Sequence, residues 1–212
     1  MDWVTVIRKE AQTSAVLRTD ELARKYDIVP AAVTQALSRQ ARKGLVERVT
    51  DKTYFNCLAL DGSPRDLVNV LRSDAYISLD SALRDYGIST QSPHTLTCVT
   101  TERPKEFRAG TILISYRSIA SRLYWGFVRK TTRYGYYLTA EPEKAILDLV
   151  YFGLQNGAAP ALDELDFTSV DRPKLLNYAR RFPTSVYLHV LPALVENGAG
   201  AKSVGAGVGT GD

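Results

Sequence analysis

The stretch TDELARKYDIVPAAVTQALSRQAR, residues 19–42, reads as two short helices around a tight turn, and few local patterns restrict a fold as strongly. Thr19 is placed to cap the first helix, whose Leu22 and Ala23 face inward. Tyr26, Asp27, Ile28 and Val29 interrupt it, and Pro30 sits where a first helical residue has no need of its N–H. In the second helix Val33, Ala36 and Leu37 form an apolar stripe, and Gln35, Ser38, Arg39 and Arg42 line the opposite side. Those four side chains suit base edges and phosphates, as in a helix-turn-helix.

Any amphipathic helix has a polar face, so the surrounding elements carry much of the argument. Lys43-Gly44 supplies a helix stop, and Leu45-Val46-Glu47-Arg48-Val49 alternates as a half-buried strand does. Thr50 to Thr53 then form a turn, and Tyr54-Phe55-Asn56 return as a partner strand. Residues 3–11 add a preceding helix with Val4, Ile7 and Ala11 on one face. Helix, turn, helix and a two-stranded wing together predict a winged helix over residues 1–60.

Charge places any nucleic-acid contact locally. The chain of 212 residues has a net charge of only +4, and its 45% hydrophobic and 24% charged content is ordinary for a globular protein. Residues 1–60 hold ten Lys/Arg against seven Asp/Glu, and the remainder holds seventeen against sixteen. Cys57 and Cys98 lie far apart without a neighbouring His cluster, so neither a zinc site nor any other metal site is expected, and both read as small core residues on strands. Charged residues interrupt the first helix, and no apolar run reaches membrane-spanning length. The expectation is a cytoplasmic protein with no membrane partner.

Leu60-Asp61-Gly62-Ser63 reads as a hinge into a second domain over residues 61–196. Ser63, Pro64 and Asp66 have the order of a capped helix start, and SLDSALRDY (residues 78–86) is a second helix stopped by Gly87. Strands are expected over residues 94–101, 112–116, 123–128 and 136–139, giving a mixed or mostly antiparallel sheet. Glu141-Pro142-Glu143-Lys144 opens the most apolar helix of the chain, and two helices over residues 175–182 and 187–195 close the domain. Residues 197–212 are almost all small and read as a flexible Gly/Ala-rich tail. The predicted fold class is α+β.

Between Arg108 and Thr139 there is no acidic residue, while Arg117, Arg122, Arg129, Lys130 and Arg133 alternate with six tyrosine and tryptophan residues. Such a surface suits phosphates or an acidic partner. Catalysis has no visible support. His94 and His189 are the only histidines and neither is framed by a nucleophile motif, and no glycine-rich phosphate loop precedes a helix.

The order of segments beyond the winged helix is informative: YISLDSALRDYGISTQSP (residues 76–93), TLTCVTTERPKEF (95–107), ISYRSI (114–119), LYWGF (123–127) and AEPEKAILDLVY (140–151). In this order the chain resembles the AbiEi family of antitoxins from bacterial abortive-infection toxin–antitoxin systems, over nearly all of residues 3–197. The resemblance implies an autorepressor whose winged helix binds operator DNA. It also implies that the second domain counteracts a nucleotidyltransferase-like toxin and helps bind DNA. It assigns Thr34, Gln35, Ser38, Arg39 and Arg42, with Lys52 in the wing, to DNA. Arg117, Arg122, Arg129, Lys130 and Arg133 become candidate contacts to DNA or toxin, and no cofactor is implied. The expected state is a monomer in solution or a weak dimer on DNA. A second reading stays open, in which the chain is a ligand-responsive winged-helix regulator without a toxin partner.

Overall fold

The Asp2 carboxylate accepts a hydrogen bond from the Val4 N–H at 3.1 Å and starts helix α1, Trp3–Glu10. In this computed structural model, which describes residues 1–90 and 95–196, strand β1 (Val16–Arg18) follows. Helices α2 (Thr19–Tyr26) and α3 (Pro30–Ala41) come next, then strands β2 (Val46–Arg48) and β3 (Thr53–Asn56). The three strands form an antiparallel sheet in the order β1-β3-β2. Ile7, Leu17, Leu22, Val33, Leu37, Val46 and Tyr54 fill the core beneath it. Glu10 is buried, and its carboxylate accepts from Lys25 Nζ at 2.8 Å and from the Tyr26 hydroxyl at 2.5 Å, tying α1 to α2.

Two local expectations change. Thr19 is not a side-chain cap: it is the first, buried residue of α2, and its N–H donates to the Lys52 carbonyl at 3.0 Å. The orphan donor is thus satisfied by the β2–β3 turn. The two-stranded sheet expected here also gains a third strand, because Val16-Leu17-Arg18 pairs with Thr53 to Phe55. Three residues are too few for a period-2 pattern to register.

Ser63 and Asp66 make the reciprocal bonds of a helix start: Asp66 accepts from the Ser63 N–H at 2.9 Å, and Ser63 Oγ accepts from the Arg65 N–H at 3.2 Å. Helix α4 (Arg65–Leu71) follows, then β4 (Tyr76–Ile77), α5 (Leu79–Asp85), β5 (Thr95–Thr100), β6 (Lys105–Ala109) and β7 (Ile112–Ser118). After a 3-10 turn at Ser121–Leu123 come β8 (Phe127–Thr132) and β9 (Gly135–Ala140). Helices α6 (Pro142–Gln155), α7 (Arg172–Ala179) and α8 (Thr184–Glu196) end the described chain. The six strands form one mixed sheet, β6-β7-β5-β4-β9-β8, in which β4/β9 and β5/β7 are parallel and the other pairs antiparallel. The fold is therefore α+β. The strand expected over residues 123–128 is displaced to Phe127–Thr132, since Tyr124 and Trp125 turn inward to pack on Tyr76 and Tyr178.

Helices cover both faces of this sheet. Adjacent residues of β7 show it: the Tyr116 hydroxyl donates to the Val68 carbonyl of α4 at 2.9 Å, while Arg117 lies over the Phe152 ring of α6. A second core includes Leu67, Tyr76, Leu83, Cys98, Ile114, Ile146, Leu147 and Val150. Cys98 belongs to it as expected, but Cys57 is exposed just beyond the end of β3, and both thiols are free. The Tyr134 hydroxyl bridges the two cores by bonding to the Ala11 carbonyl at 3.2 Å and to the Leu60 carbonyl. The tail and His94 lie outside the described residues. Among the described residues no helix is long and apolar enough to cross a membrane.

Gly153, inside α6, permits a close approach. A Cβ there would lie 2.7 Å from the Ala158 carbonyl oxygen and 2.7 Å from Pro160 Cδ. Glycine to alanine inside a helix ordinarily stabilises by up to about 1 kcal/mol. Here Gly153→Ala is expected to destabilise by about 1–3 kcal/mol, because backbone must move. Urea unfolding of the variant checks the sign, and a gain in stability would show that the 158–160 segment yields freely.

Candidate functional site

Helix α3 starts at Pro30 and buries Val33, Ala36, Leu37 and Gln40 on one side. Helical geometry then leaves Ala31, Ala32, Gln35, Arg39 and Arg42 exposed along the other. Thr34 is half-buried, and its hydroxyl donates to the Pro30 carbonyl at 3.0 Å. Ser38 is also half-buried, and its hydroxyl is paired at 3.2 Å with that of Tyr54, itself fully buried. Ser38 therefore holds α3 to β3, and the outward polar stripe is Gln35, Arg39 and Arg42.

The cations of this region divide by pairing. Arg18 is paired with Asp20 and Glu21, Lys25 with Glu10, and Arg48 with Asp51. Arg39, Arg42, Lys43 and Lys52 are exposed and make no ion pair among the described residues, and the same holds for Arg8, Lys9 and Arg24 elsewhere on the unit. Lys52 stands in the β2–β3 turn, which its own carbonyl fastens to the start of α2. The stripe and the turn belong to one packed unit, so their charges are held on a common scaffold.

The five basic residues expected as second contacts are not brought onto one surface. Arg117 on β7 faces α6, where its charge also lowers the pull of burial on the Asp80 carboxyl, which burial leaves above its ordinary value. Arg129 and Lys130 lie on β8, at the opposite edge of the sheet order, stacked over Tyr136 and Tyr86 at 3.8 and 4.6 Å. Arg133 is within 3.7 Å of Asp61, and Arg122 lies in the 3-10 turn. An acid-free stretch of sequence is thus divided between strands, and acids from elsewhere face some of its members. His189 has Nε2 at 3.0 Å from the Pro160 carbonyl.

The residues missed from the sequence lie under α6. Lys144 and Asp148 are fully buried and paired with each other. Lys144 Nζ also donates to the Tyr76 hydroxyl at 2.8 Å, and Asp148 accepts from Tyr76 at 3.0 Å and from Ser78 at 2.8 Å. The ammonium lies 5.1, 5.6 and 5.2 Å from the ring centroids of Tyr76, Trp125 and Phe182. Burial holds Lys144 below its ordinary value, although Asp148 pulls the other way. Burial likewise pushes the Asp148 carboxyl up, against Lys144, Ser78 and Tyr76. Both shifts run against ionisation, and desolvation is the first cause of each. Gly126 lets the lysine stem pass, since a Cβ there would be 3.2 Å from Lys144 Cβ and Cγ. Next to Ser78, Leu79 is held at φ 52°, a strained region for a branched side chain. An i, i+4 Lys–Asp pair inside an apolar run was the available signal.

No protein-family model matches this chain, and no curated protein matches it.

Proposed function

We propose that this chain is an antitoxin of a bacterial toxin–antitoxin system that represses its own operon, as its resemblance to the AbiEi family implies. The single observation that carries the DNA-binding half is the unpaired Gln35–Arg39–Arg42 stripe on α3, with the exposed Lys52 in the β2–β3 turn. The element order α1-β1-α2-α3-β2-β3 supports a winged-helix reading, with α3 as the helix that enters the major groove. An α-helix with its side chains is about 10–12 Å across, which suits a major groove about 12 Å wide. The small charge excess of residues 1–60 supports few phosphate contacts per copy, hence a monomer that pairs weakly on DNA. The second unit is proposed to counteract a nucleotidyltransferase-like toxin in the cytoplasm, without a cofactor.

The test has two parts. Fluorescence anisotropy of the full chain with a duplex from immediately upstream of its own gene is expected to show at least about a tenfold preference over a scrambled duplex. Equal affinity for both would remove the operator reading. Induction of the adjoining open reading frame is expected to stop growth, and co-expression of this chain to restore it. A frame without toxicity, or toxicity that this chain leaves unchanged, would remove the antitoxin reading.

A further inference from the structure

Helix α7 brings a second basic cluster onto the 3-10 turn between β7 and β8. Arg181, just beyond the end of α7, stacks at 3.8 Å over the Trp125 ring. The indole Nε1 donates to the main-chain carbonyl of Arg122 at 3.1 Å, so the ring that carries the Arg181 guanidinium is also tied to the backbone of the 3-10 turn that bears Arg122. Behind it, Trp125 packs edge-on against Tyr178 and Phe182 and is backed by Lys144. Arg122, Arg180 and Arg181 are exposed, and none makes an ion pair among the described residues. The carboxylates at the start of α6 are already engaged: Glu141 accepts from Lys174 at 2.9 Å and from Tyr178 at 2.7 Å, and Glu143 lies 3.1 Å from Lys174.

We infer that the Arg122–Trp125–Arg181 cluster is a docking surface for an acidic segment of a partner protein. Tryptophan, tyrosine and arginine are the residues most enriched at binding hot spots, and the Arg181 guanidinium stacked on Trp125, flanked along the chain by the exposed, unpaired Arg180 and joined through the indole to the turn bearing Arg122, calls for carboxylates opposite. Arg181 is already held by its stack, so less side-chain freedom is lost when a carboxylate docks. None of these hydrogen bonds and ring contacts of the cluster involves a residue of α3. This inference rests on the reading of the second unit as the part that counteracts a toxin, and adds to it a direct protein contact. A nucleic-acid partner at this cluster is the competing outcome.

The experiment uses the full chain with Trp3→Phe, which leaves Trp125 as the sole tryptophan reporter, since the sequence has 2 tryptophans. Titration with a poly-glutamate decapeptide is expected to change Trp125 emission saturably and to weaken as salt rises from about 0.05 to 0.3 M. Arg122→Glu with Arg181→Glu is expected to weaken the response at least tenfold. Arg122→Glu alone, which leaves the stack in place, is expected to weaken it severalfold, so a folding defect in the double variant does not blur the result. Arg39→Ala with Arg42→Ala should leave the peptide response unchanged. The same samples are titrated with upstream DNA, so loss of the α3 reading and loss of this one are seen separately. No saturable response, or a response that both charge reversals leave intact, overturns the inference. So does tighter binding of a ten-nucleotide oligouridylate that the same reversals abolish, which would make the cluster a nucleic-acid site.

Discussion

Asp148→Ala is expected to lower the stability of the second core by about 3–5 kcal/mol, because it leaves a fully buried ammonium without its carboxylate. Lys144→Met should cost about as much, since Asp148 would then keep only the Tyr76 and Ser78 hydroxyls. The double substitution Lys144→Met with Asp148→Leu is expected to recover most of the loss, as apolar side chains of similar volume often replace a buried pair at little net cost. Urea unfolding in a Trp3→Phe background, followed by Trp125 emission, measures all three, since the Lys144 ammonium lies 5.6 Å from the Trp125 ring centroid. If the double variant were as unstable as the sum of the singles, the two groups would act independently and the buried network would not be a unit.

Arg39→Ala with Arg42→Ala has the largest expected effect on binding. Affinity for the upstream duplex should fall roughly 10- to 100-fold near 0.1 M salt, and the slope of log K against log salt should become shallower by about 2, one for each phosphate that is no longer neutralised. Both side chains are exposed and unpaired, so thermal unfolding should be unchanged. Gln35→Ala is expected instead to blur discrimination between sequences, at about 1–3 kcal/mol for the base pair it reads. Binding that ignores the double arginine substitution would take α3 out of the interface. Ser38→Ala separates the two roles of the helix, because its hydroxyl is bonded to Tyr54 and its removal should register in stability before affinity.

How much was legible differs by element. The bounds of α3, its inward stripe and the capped start of α4 follow from local spacing and chemistry, which act within one turn of chain. The short strands β1, β4 and β6 did not announce themselves. β4 has 2 residues, and the hydrogen bonds that define it come from β5 and β9. Sheet order was equally hidden, since parallel pairing of β4 with β9 joins residues far apart in the chain. The acid-free stretch suggested one basic surface, but strand order places Arg117 and Arg129 in strands that do not adjoin.

The chain by itself determined where α3 lies, which side chains point away from its core, and that residues 1–60 carry the excess of positive charge. Those properties depend on helical period and composition alone. Tertiary structure decided which of these side chains remain available: Ser38 is taken by Tyr54 and Arg48 by Asp51, while Arg39 and Arg42 stay unpaired. It also decided that Lys144 and Asp148 are interior, and that Trp125 meets both the Arg181 guanidinium and the main chain at Arg122. Burial and pairing are set by groups distant in sequence, and no local spacing encodes them.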